Sequence, residues 1–459
     1  MRHTATGWWL EEAGPVEPAP PLAGATTADV VVVGGGYLGL WTAWHLRELE
    51  PGLDVVVLEA DVCGHGPSGR NGGFVSTLWG DLPTMCERFG AERALAVGRA
   101  SADSVRAIGA WCERNEVDAW YTPAPQLEVA TTGAQDGAWM PIVAACADLG
   151  VAEEARELAP PEVRAVCSSP VFRGGVLYAT AATVQPARLV LGLRRRLLER
   201  GVRVHERSRI ERLSGDAVAE TRDGLVRAGA AVLAVNWATA GRPGFRTALA
   251  VASSHIVLTE PIPDVLDQLG WTGGEAIADC RTLLHYLRTT RDGRIAFGWG
   301  GGRMGFGGRA VRRLEIDPDV VAHARTALVR FFPQLAGRAV THAWGGPIDV
   351  SPTHLPVFGS RGRVHHGYGF TGNGVGPCEL GGRILARLAL DRRDDVSRLA
   401  LVEPAKKRFP PEPLRYAGGS LIRRALVRTD ALEDRGRRPD PLTGLVASLP
   451  RRLGLHLPR

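Results

Sequence analysis

Lysine is nearly absent from this chain. Lys406 and Lys407 are the only lysines among 459 residues, so the other 53 basic side chains are arginines. The last 59 residues hold 13 basic and six acidic side chains, and the first 400 residues are almost neutral. Because the body has no basic stripe interleaved with aromatic residues, we expect no nucleic-acid partner.

Paired cysteines and long apolar runs are also missing. The seven cysteines are odd in number, widely spaced and without a CxxC pair, which favours a reducing, cytoplasmic location and argues against a metal site. The N-terminus has no cationic region followed by an apolar core, so we expect no signal peptide. Three glycines and His45 interrupt the apolar residues 30–46, and a membrane span needs about 20 such residues. We therefore expect no transmembrane segment.

A strand, a glycine turn and a helix follow one another early in the chain. The apolar, β-branched residues 29–33 precede the motif Gly34-x-Gly36-x-x-Gly39, and a second strand, DVVVLEA, contains Glu59 near its end. In such units the glycines permit a tight turn, a close approach to a pyrophosphate and helix–strand packing. The acid accepts hydrogen bonds from a ribose, and the helix N-terminus attracts phosphate. This arrangement predicts a dinucleotide site.

A second glycine motif occurs in GWGGGRMGFGG, residues 298–308. Two further glycines and Arg309 follow it, which is a poor start for a helix, and no suitably spaced acid comes later. We interpret this segment as a loop. One dinucleotide site remains, so the chain is not expected to bind both a flavin and a nicotinamide.

Two more glycine-rich segments surround the predicted site in the sequence. In GHGPSGRNGGF, residues 64–74, Ser68 and Arg70 could reach a pyrophosphate, although a plain surface loop has the same composition. GFTGNGVG, residues 369–376, exposes backbone amides immediately before an amphipathic helix.

Together these segments resemble the FAD-dependent amine and amino-acid oxidoreductases of the D-amino-acid oxidase superfamily, such as sarcosine and glycine oxidases and especially the gamma-glutamylputrescine oxidase-like branch. LHYLRTTRDGRIAFGWG and WGGPIDVSPTHLPVFG also match. The resemblance implies an α/β fold (α+β overall), in which a glutathione-reductase-like Rossmann FAD domain carries an inserted mixed-sheet substrate domain.

The implied domains are discontinuous. Residues 25–90, 181–245 and 346–400 would form the FAD domain, and residues 91–180 and 246–345 the substrate domain. Residues 90–180 have a mainly helical and irregular pattern. The strand in GAAVLAVNWAT is expected to end at Asn236, and a helix is expected to begin near Pro186. A basic C-terminal extension, 401–459, contains SLIRRALVRTDALE, which predicts a helix that packs on the body rather than on a membrane.

The resemblance also implies non-covalent FAD, because the cysteine that some relatives join to flavin aligns with Leu284. The residues implied to bind it are Gly34, Gly36, Tyr37, Leu38, Gly39, Glu59, Ser68, Arg70, Asn71, Gly72, Gly73, Ile210, Gly372, Asn373, Gly374 and Val375.

In such enzymes a small-molecule amine donates a hydride from its α-carbon to flavin N5, the imine hydrolyses, and O2 or another acceptor takes the electrons. The resemblance places Tyr286 on the substrate side of the flavin. Arg288, on the same face of the strand by alternation, could hold a carboxylate or be structural. His255 is a candidate near the flavin or a core residue. Amides around residues 372–375 could stabilise the anionic reduced flavin.

Departures from the family affect the substrate and the acceptor. Sarcosine oxidases hold a carboxylate with a lysine where this chain has Gly376 and with an arginine where it has Gly73. Their absence favours an amine or a larger conjugated substrate, and the missing lysines make oxygen use doubtful. A flavin hydroxylase would need a second, GD-containing motif, and a tRNA-modifying enzyme a methyltransferase region. A non-catalytic flavin protein stays possible from sequence alone.

The cofactor should be released when the purified yellow protein is denatured by acid or heat, because Leu284 replaces the linking cysteine. Absorbance of the supernatant after precipitation measures this release. Flavin that remains with the precipitate would contradict the prediction and would implicate another thiol, with Cys378 nearest to the flavin-side glycines in sequence.

Overall fold

The computed structural model of the chain describes residues 1–3, 6–402 and 407–455. These residues form the helices α1 (Trp8–Ala13), α2 (Tyr37–Leu49), α3 (Leu82–Phe89), α4 (Ala91–Arg114), α5 (Met140–Asp148), α6 (Pro160–Val166), α7 (Pro186–Glu199), α8 (Pro263–Leu269), α9 (Pro318–Phe331), α10 (Val375–Ala389), α11 (Leu414–Glu433) and α12 (Pro441–Arg452).

The strands are β1 (Arg2–His3), β2 (Gly24–Val33), β3 (Val55–Leu58), β4 (Phe74–Val75), β5 (Thr122–Pro123), β6 (Gln126–Val129), β7 (Ala155–Leu158), β8 (Gly175–Tyr178), β9 (Ala182–Thr183), β10 (Arg203–His205), β11 (Ile210–Leu213), β12 (Val218–Thr221), β13 (Gly224–Leu233), β14 (Ala250–Thr259), β15 (Ala276–Asp279), β16 (His285–Thr289), β17 (Ile295–Trp299), β18 (Met304–Gly305), β19 (Val340–Val350), β20 (Val357–Arg361) and β21 (Val364–Tyr368).

A Rossmann-like sheet is built from separate stretches of the chain. Its strand order is β10-β3-β2-β13-β12-β11, and β21 pairs with β13 and β20. The pairs β10·β3, β3·β2, β2·β13 and β13·β21 are parallel. Helices cover such a sheet, which explains why Val30–Val33 and Val55–Leu58 are buried at every position and read as continuous apolar runs.

Helix packing on this sheet uses indole rings in place of smaller aliphatic side chains. The Trp111 ring on α4 lies 5.2 Å from Trp41 and 5.3 Å from Trp44 on α2, both edge-on. Helix α10 packs against α2 at Gly382, where an added Cβ would lie 2.6 Å from the Trp41 Cβ. The final helix of the Rossmann-like unit is thereby fixed on its first helix.

The second sheet has ten strands in the order β1-β19-β14-β17-β16-β15-β6-β8-β7, with β18 on β14. The prediction that residues 90–180 are mainly helical and irregular was wrong in part, because β6, β7 and β8 lie in this sheet. Each has only four residues. So short a segment carries too few alternations to reveal a strand.

The start of α7, the end of β13 and the backbone of residues 298–308 can be compared with their predictions. Helix α7 begins at Pro186, with the Gln185 side chain accepting a hydrogen bond from the Arg188 N–H. Strand β13 ends at Leu233, three residues before the predicted end at Asn236. The glycine-rich residues 298–308 contain the end of β17, then β18 and a single 3-10 turn, and no α-helix begins among these described residues, as predicted.

The C-terminal helix predicted from SLIRRALVRTDALE is α11, and it packs on the body of the protein. The buried Arg415 guanidinium donates to the Leu249 carbonyl at 2.9 Å, and Ala425 is also buried. Residues 403–406 and 456–459 of the extension lie outside the described residues.

A buried ion pair ties the N-terminal segment to the Rossmann-like sheet. Arg194 on α7 donates twice to Glu206, from Nε and Nη2, each at 2.8 Å. The same carboxylate accepts the N–H groups of Ala19 and Cys63. Burial raises the pKa of Glu206, but these donors outweigh it and the net pKa is lowered.

Replacing Glu206 with alanine should lower the free energy of unfolding by about 3–5 kcal/mol, because it leaves the Arg194 charge buried without its partner. Glu220→Ala is the matched control, since Glu220 forms a comparable two-point pair with Arg212 on the surface. Such exposed pairs contribute little to stability, so this variant should unfold almost as wild type does. Denaturant unfolding at equal flavin content measures both, and equal losses would contradict the prediction.

Candidate functional site

One large cavity brings the glycine-rich segments together with the ten-stranded sheet. It encloses about 2070 Å³ of space not filled by protein atoms, counting space open to solvent. Its lining includes residues after β3, the loop before α10, and side chains from β6, β14, β16 and β19. The cavity therefore joins the loops after β3 and before α10 to strands of the ten-stranded sheet.

The first glycine turn leaves no room for side chains. Gly34 has φ +114°, and a Cβ on it would lie 2.3 Å from the Ala234 carbonyl oxygen of the neighbouring strand. A Cβ on Gly39 would lie 1.9 Å from the Gly34 carbonyl oxygen. Gly36 caps α2, where a Cβ would meet the Ser68 Oγ at 2.9 Å. Backbone rather than side chains therefore surrounds the start of α2, the position at which a Rossmann-type turn receives a pyrophosphate.

Glu59 directly follows β3 and adjoins this turn. Its carboxylate accepts the Gly35 N–H at 2.7 Å and the Asp61 N–H at 2.9 Å. Burial raises its pKa, and these two backbone donors lower it less. The side chain is thus held beside the glycine turn, at the carboxyl end of the strand.

The segment after β3 supports the start of α2. Ser68 Oγ accepts the Tyr37 N–H at 2.9 Å, so this hydroxyl caps the helix that was expected to face a pyrophosphate. Asn71 folds its own loop, donating to the Ser68 carbonyl and accepting the Gly73 N–H. Arg70 Nη1 lies 3.5 Å from Glu315, and the two form an ion pair.

The second glycine segment opens α10 toward the cavity. Gly372 has φ +87° and Gly374 is the N-cap of α10. Asn373 donates to the Thr77 carbonyl at 3.1 Å, which joins the loop before α10 to the residues after β4. Each of the residues 372–375 lines the cavity.

Asp349 at the end of β19 holds this loop in place, and sequence reasoning missed it. Its carboxylate accepts the Gly369 N–H and, at 2.9 Å, the side-chain amide of Asn236. Burial raises the pKa of Asp349 to about 7. The motif WGGPIDVSP contains this acid, but an isolated aspartate in a strand gave no signal of its role.

The two positions where sarcosine oxidases carry a carboxylate clamp are closed to side chains. Gly73 has φ +75°, and a Cβ there would lie 2.2 Å from the Val184 carbonyl oxygen. A Cβ on Gly376 would lie 2.5 Å from the Ser76 carbonyl oxygen. The backbone of this chain therefore leaves no space for an arginine or a lysine at these two positions.

Tyr286 on β16 lines the cavity. Its hydroxyl lies 2.7 Å from the Ser254 Oγ, and its ring covers Gly298 on the adjacent strand, where an added Cβ would clash at 2.0 Å. Burial raises the pKa of Tyr286 to about 12, so the phenol is neutral at physiological pH. Trp344 forms another part of the lining and donates to the Arg70 carbonyl at 2.8 Å.

Of the two alternatives for Arg288, a contact with a substrate carboxylate or a structural role, its contacts favour the structural role. Its guanidinium donates to the carbonyls of Val184 and Gly73, and its Nε donates to the Thr289 carbonyl at 2.9 Å. It is 3% exposed and does not line the cavity. Burial lowers the pKa of Arg288 to about 9. Alternation identified the face of the strand correctly, but backbone near Gly73 covers that face beside Arg288.

His255 also lies away from the cavity. Its strand neighbours Ser254 and Ile256 line the cavity, so the two-residue period turns His255 to the opposite face. An added Cβ on Gly345 would lie 2.4 Å from the ring, and neither ring nitrogen has a hydrogen-bond partner among the described residues. Burial lowers the pKa of His255 to about 4. The ring is therefore a neutral core residue.

Several residues of the implied FAD set do not line the cavity. Ile210 is buried in the core of the Rossmann-like sheet, and Leu38 packs against Gly367 and Gly381. The remaining members outside the lining are Gly34, Gly36, Gly39, Glu59 and Gly73. Any contact of the glycines with a cofactor would be through their backbone.

The far end of the cavity is acidic, which the sequence did not reveal. The Tyr178 hydroxyl donates to Glu128 at 3.2 Å. Among the described residues, Asp81 has neither a capping hydrogen bond nor a basic partner. Burial raises the pKa of both carboxyls to about 7. Arg281 also lines this region. These residues lie in or next to short helices and strands, and no sequence motif identifies them as site residues.

Searches of the described residues for two other kinds of feature found none. No group of three or more histidine, cysteine, aspartate or glutamate side chains could hold a metal ion in the described part of the chain. Within residues 1–3, 6–402 and 407–455, helices that combine the length and hydropathy of a membrane span are also absent.

The chain is similar to known proteins over most of its length. The chain is 28% identical over 442 residues to gamma-glutamylputrescine oxidoreductase of Escherichia coli (strain K12), covering 92% of this chain and 96% of that protein. It is 28% identical over 433 residues to the probable oxidoreductase OrdL of Rhizobium meliloti (strain 1021), covering 91% and 94%. The glycine oxidase structure from Geobacillus kaustophilus superposes with a TM-score of 0.66 at 19% identity, covering 83% and 99%.

The L-proline dehydrogenase structure from P. horikoshii superposes with a TM-score of 0.67 at 17% identity, covering 82% of this chain and 96% of that one. The family model described as DAO, FAD dependent oxidoreductase, matches residues 29–388. That match includes both glycine segments and the strands that line the cavity. The chain belongs to this family of FAD-dependent oxidoreductases.

Proposed function

We propose that this protein oxidises the C–N bond of an amine to an imine, which water then hydrolyses. The observation that carries the proposal is the cavity in which Tyr37, Ser68 and the loop before α10 meet Tyr286 and the acidic end. When bound, FAD supplies the acceptor for the hydride that leaves the carbon next to nitrogen. The acceptor that then takes the electrons is O2 or another oxidant.

The cofactor would be held by the two glycine segments, Glu59 and the loop of Ser68. The Rossmann-like strands come from residues 25–90, 181–245 and 346–400, which we propose as the FAD domain. The other sheet, largely from 91–180 and 246–345, would form the substrate domain. N–H groups at the start of α10 carry the positive end of the helix dipole. They would stabilise negative charge placed against them without any rearrangement.

The substrate end suits an amine better than a small α-amino acid. Backbone closes the clamp positions Gly73 and Gly376, so no cation there can hold an α-carboxylate. Asp81 and Glu128 instead offer carboxyl groups to an ammonium group. Tyr286, fixed by Ser254, would orient the reacting end of the substrate. All seven cysteines are free thiols, which supports a cytoplasmic location, and we propose no nucleic-acid partner.

Anaerobic mixing with a substrate panel tests the function. Primary and secondary amines should bleach the flavin, and glycine or sarcosine should not, because the carboxylate clamp is absent. Admission of air, and separately of an artificial electron acceptor, then identifies the oxidant. Bleaching by NADH but by no amine would favour a flavin hydroxylase. No bleaching by either reductant would favour a non-catalytic or tRNA-modifying protein and would contradict amine oxidation.

The affinity for a permanent cation should rise with pH through about 7. Asp81 and Glu128 have their pKa raised to about 7, so both are largely neutral at pH 6 and ionised at pH 8. Tetramethylammonium keeps its charge over this range, and its Kd should therefore be roughly tenfold lower at pH 8. Perturbation of the flavin absorbance measures the Kd.

The double variant Asp81→Asn, Glu128→Gln is the control for this pH dependence, because neither replacement titrates. It should bind tetramethylammonium weakly at both pH values. A pH dependence that survives in the double variant would assign the titration to other groups and refute the acidic subsite.

A further inference from the structure

Helix α11, in the C-terminal extension, contacts residues that line the acidic end of the cavity. Arg281 lies in the loop between β15 and β16, lines the cavity, and has a side chain that is 2% exposed. Its Nε is 3.0 Å from Asp279, on the strand just before it. Its two terminal nitrogens face the end of α11, with Nη1 3.7 Å from Asp430 and Nη2 2.5 Å from Asp434.

The helix is attached to a second loop of the same wall. Arg423 on α11 donates to the carbonyls of Gly301 and Gly302, at 2.8 and 2.5 Å, and the adjacent Gly300 lines the cavity. Asp434 also pairs with Arg330 of α9 at 2.9 Å. Helix α11 thus contacts both loops, and its position is fixed by charged groups on each side.

These contacts decide which charges the cavity presents. Three carboxyl groups surround the Arg281 guanidinium, one of them Asp430, whose pKa burial raises to about 7, and Arg70, also in the lining, is paired with Glu315. Asp81 and Glu128 are acids of the lining without such a basic partner. Because the terminal N–H groups of Arg281 point to α11, the guanidinium has few donors left for the carboxylate of a ligand. The described lining therefore favours a positive group.

We propose that α11 sets the charge preference of the substrate site. Asp430 and Asp434 act as positioning residues that hold and neutralise Arg281, so that the substrate end accepts cationic amines and rejects carboxylates. This inference rests on the proposed function, because it takes the cavity as the substrate site. It assigns the C-terminal extension to substrate selection, although its sequence is basic overall.

The test releases Arg281 from the helix in the FAD-loaded protein. In the variant Asp430→Asn, Asp434→Asn, propionate should bind at least about tenfold more tightly, and tetramethylammonium more weakly, than in wild type. Perturbation of the flavin absorbance gives both dissociation constants without turnover. Adding Arg281→Met to this variant should abolish the gain in propionate affinity.

A control removes the same formal charge elsewhere. The variant Asp216→Asn, Asp223→Asn changes two exposed acids near β12 and should leave both dissociation constants unchanged. If the Asp430, Asp434 variant does not fold, the single Asp434→Asn variant, which keeps two carboxylates on Arg281, should show a smaller gain in the same direction.

Two results would overturn the inference. One is an unchanged ratio of propionate to tetramethylammonium affinity in a folded variant with normal flavin content, which would make the contacts purely structural. The other is a gain that persists without Arg281. Failure of the proposed function is seen separately, as absence of flavin bleaching by amines in the wild-type protein.

Discussion

The close approach of backbone to backbone at the first glycine turn is the constraint on which the cofactor half of the molecule depends. Gly34 lies against the carbonyl of Ala234, the residue after β13, and Gly39 against the Gly34 carbonyl, at distances that exclude any Cβ. These contacts set α2 directly on the sheet and point its N-terminus at the cavity. Ser68 and Glu59 then bind the N–H groups of Tyr37 and Gly35, which fixes the surrounding loops.

Close backbone packing also explains what the substrate site lacks. At Gly73 and Gly376 the neighbouring carbonyls fill the space of a side chain, so this chain cannot carry the clamp described for sarcosine oxidases. Arg288 donates to two backbone carbonyls in this region, and its role is therefore structural. The site must recognise its substrate with other groups, and the acids at the far end of the cavity are the ones it offers.

Charge in the cavity is a property of pairs rather than of single residues. Arg281 would make this end suitable for a carboxylate if it stood alone. With Asp279, Asp430 and Asp434 around it, the guanidinium is balanced, and Asp81 and Glu128 dominate. Two of these partners belong to an extension whose net charge is basic, which illustrates why net charge does not predict what a segment contributes locally.

The sequence by itself determined the elements whose signals are local. The glycine turn, the buried parallel strands, α7 beginning at Pro186 and α11 could all be predicted, because period, capping and turn chemistry act over a few neighbouring residues. The short strands β6, β7 and β8 could not, since four residues carry little pattern. Alternation gave the face of Arg288, but only the tertiary structure decided that backbone near Gly73 covers it. Likewise, the pairing of Arg281 joins it to an aspartate 153 residues later, and contacts between such distant residues leave no trace in a single sequence.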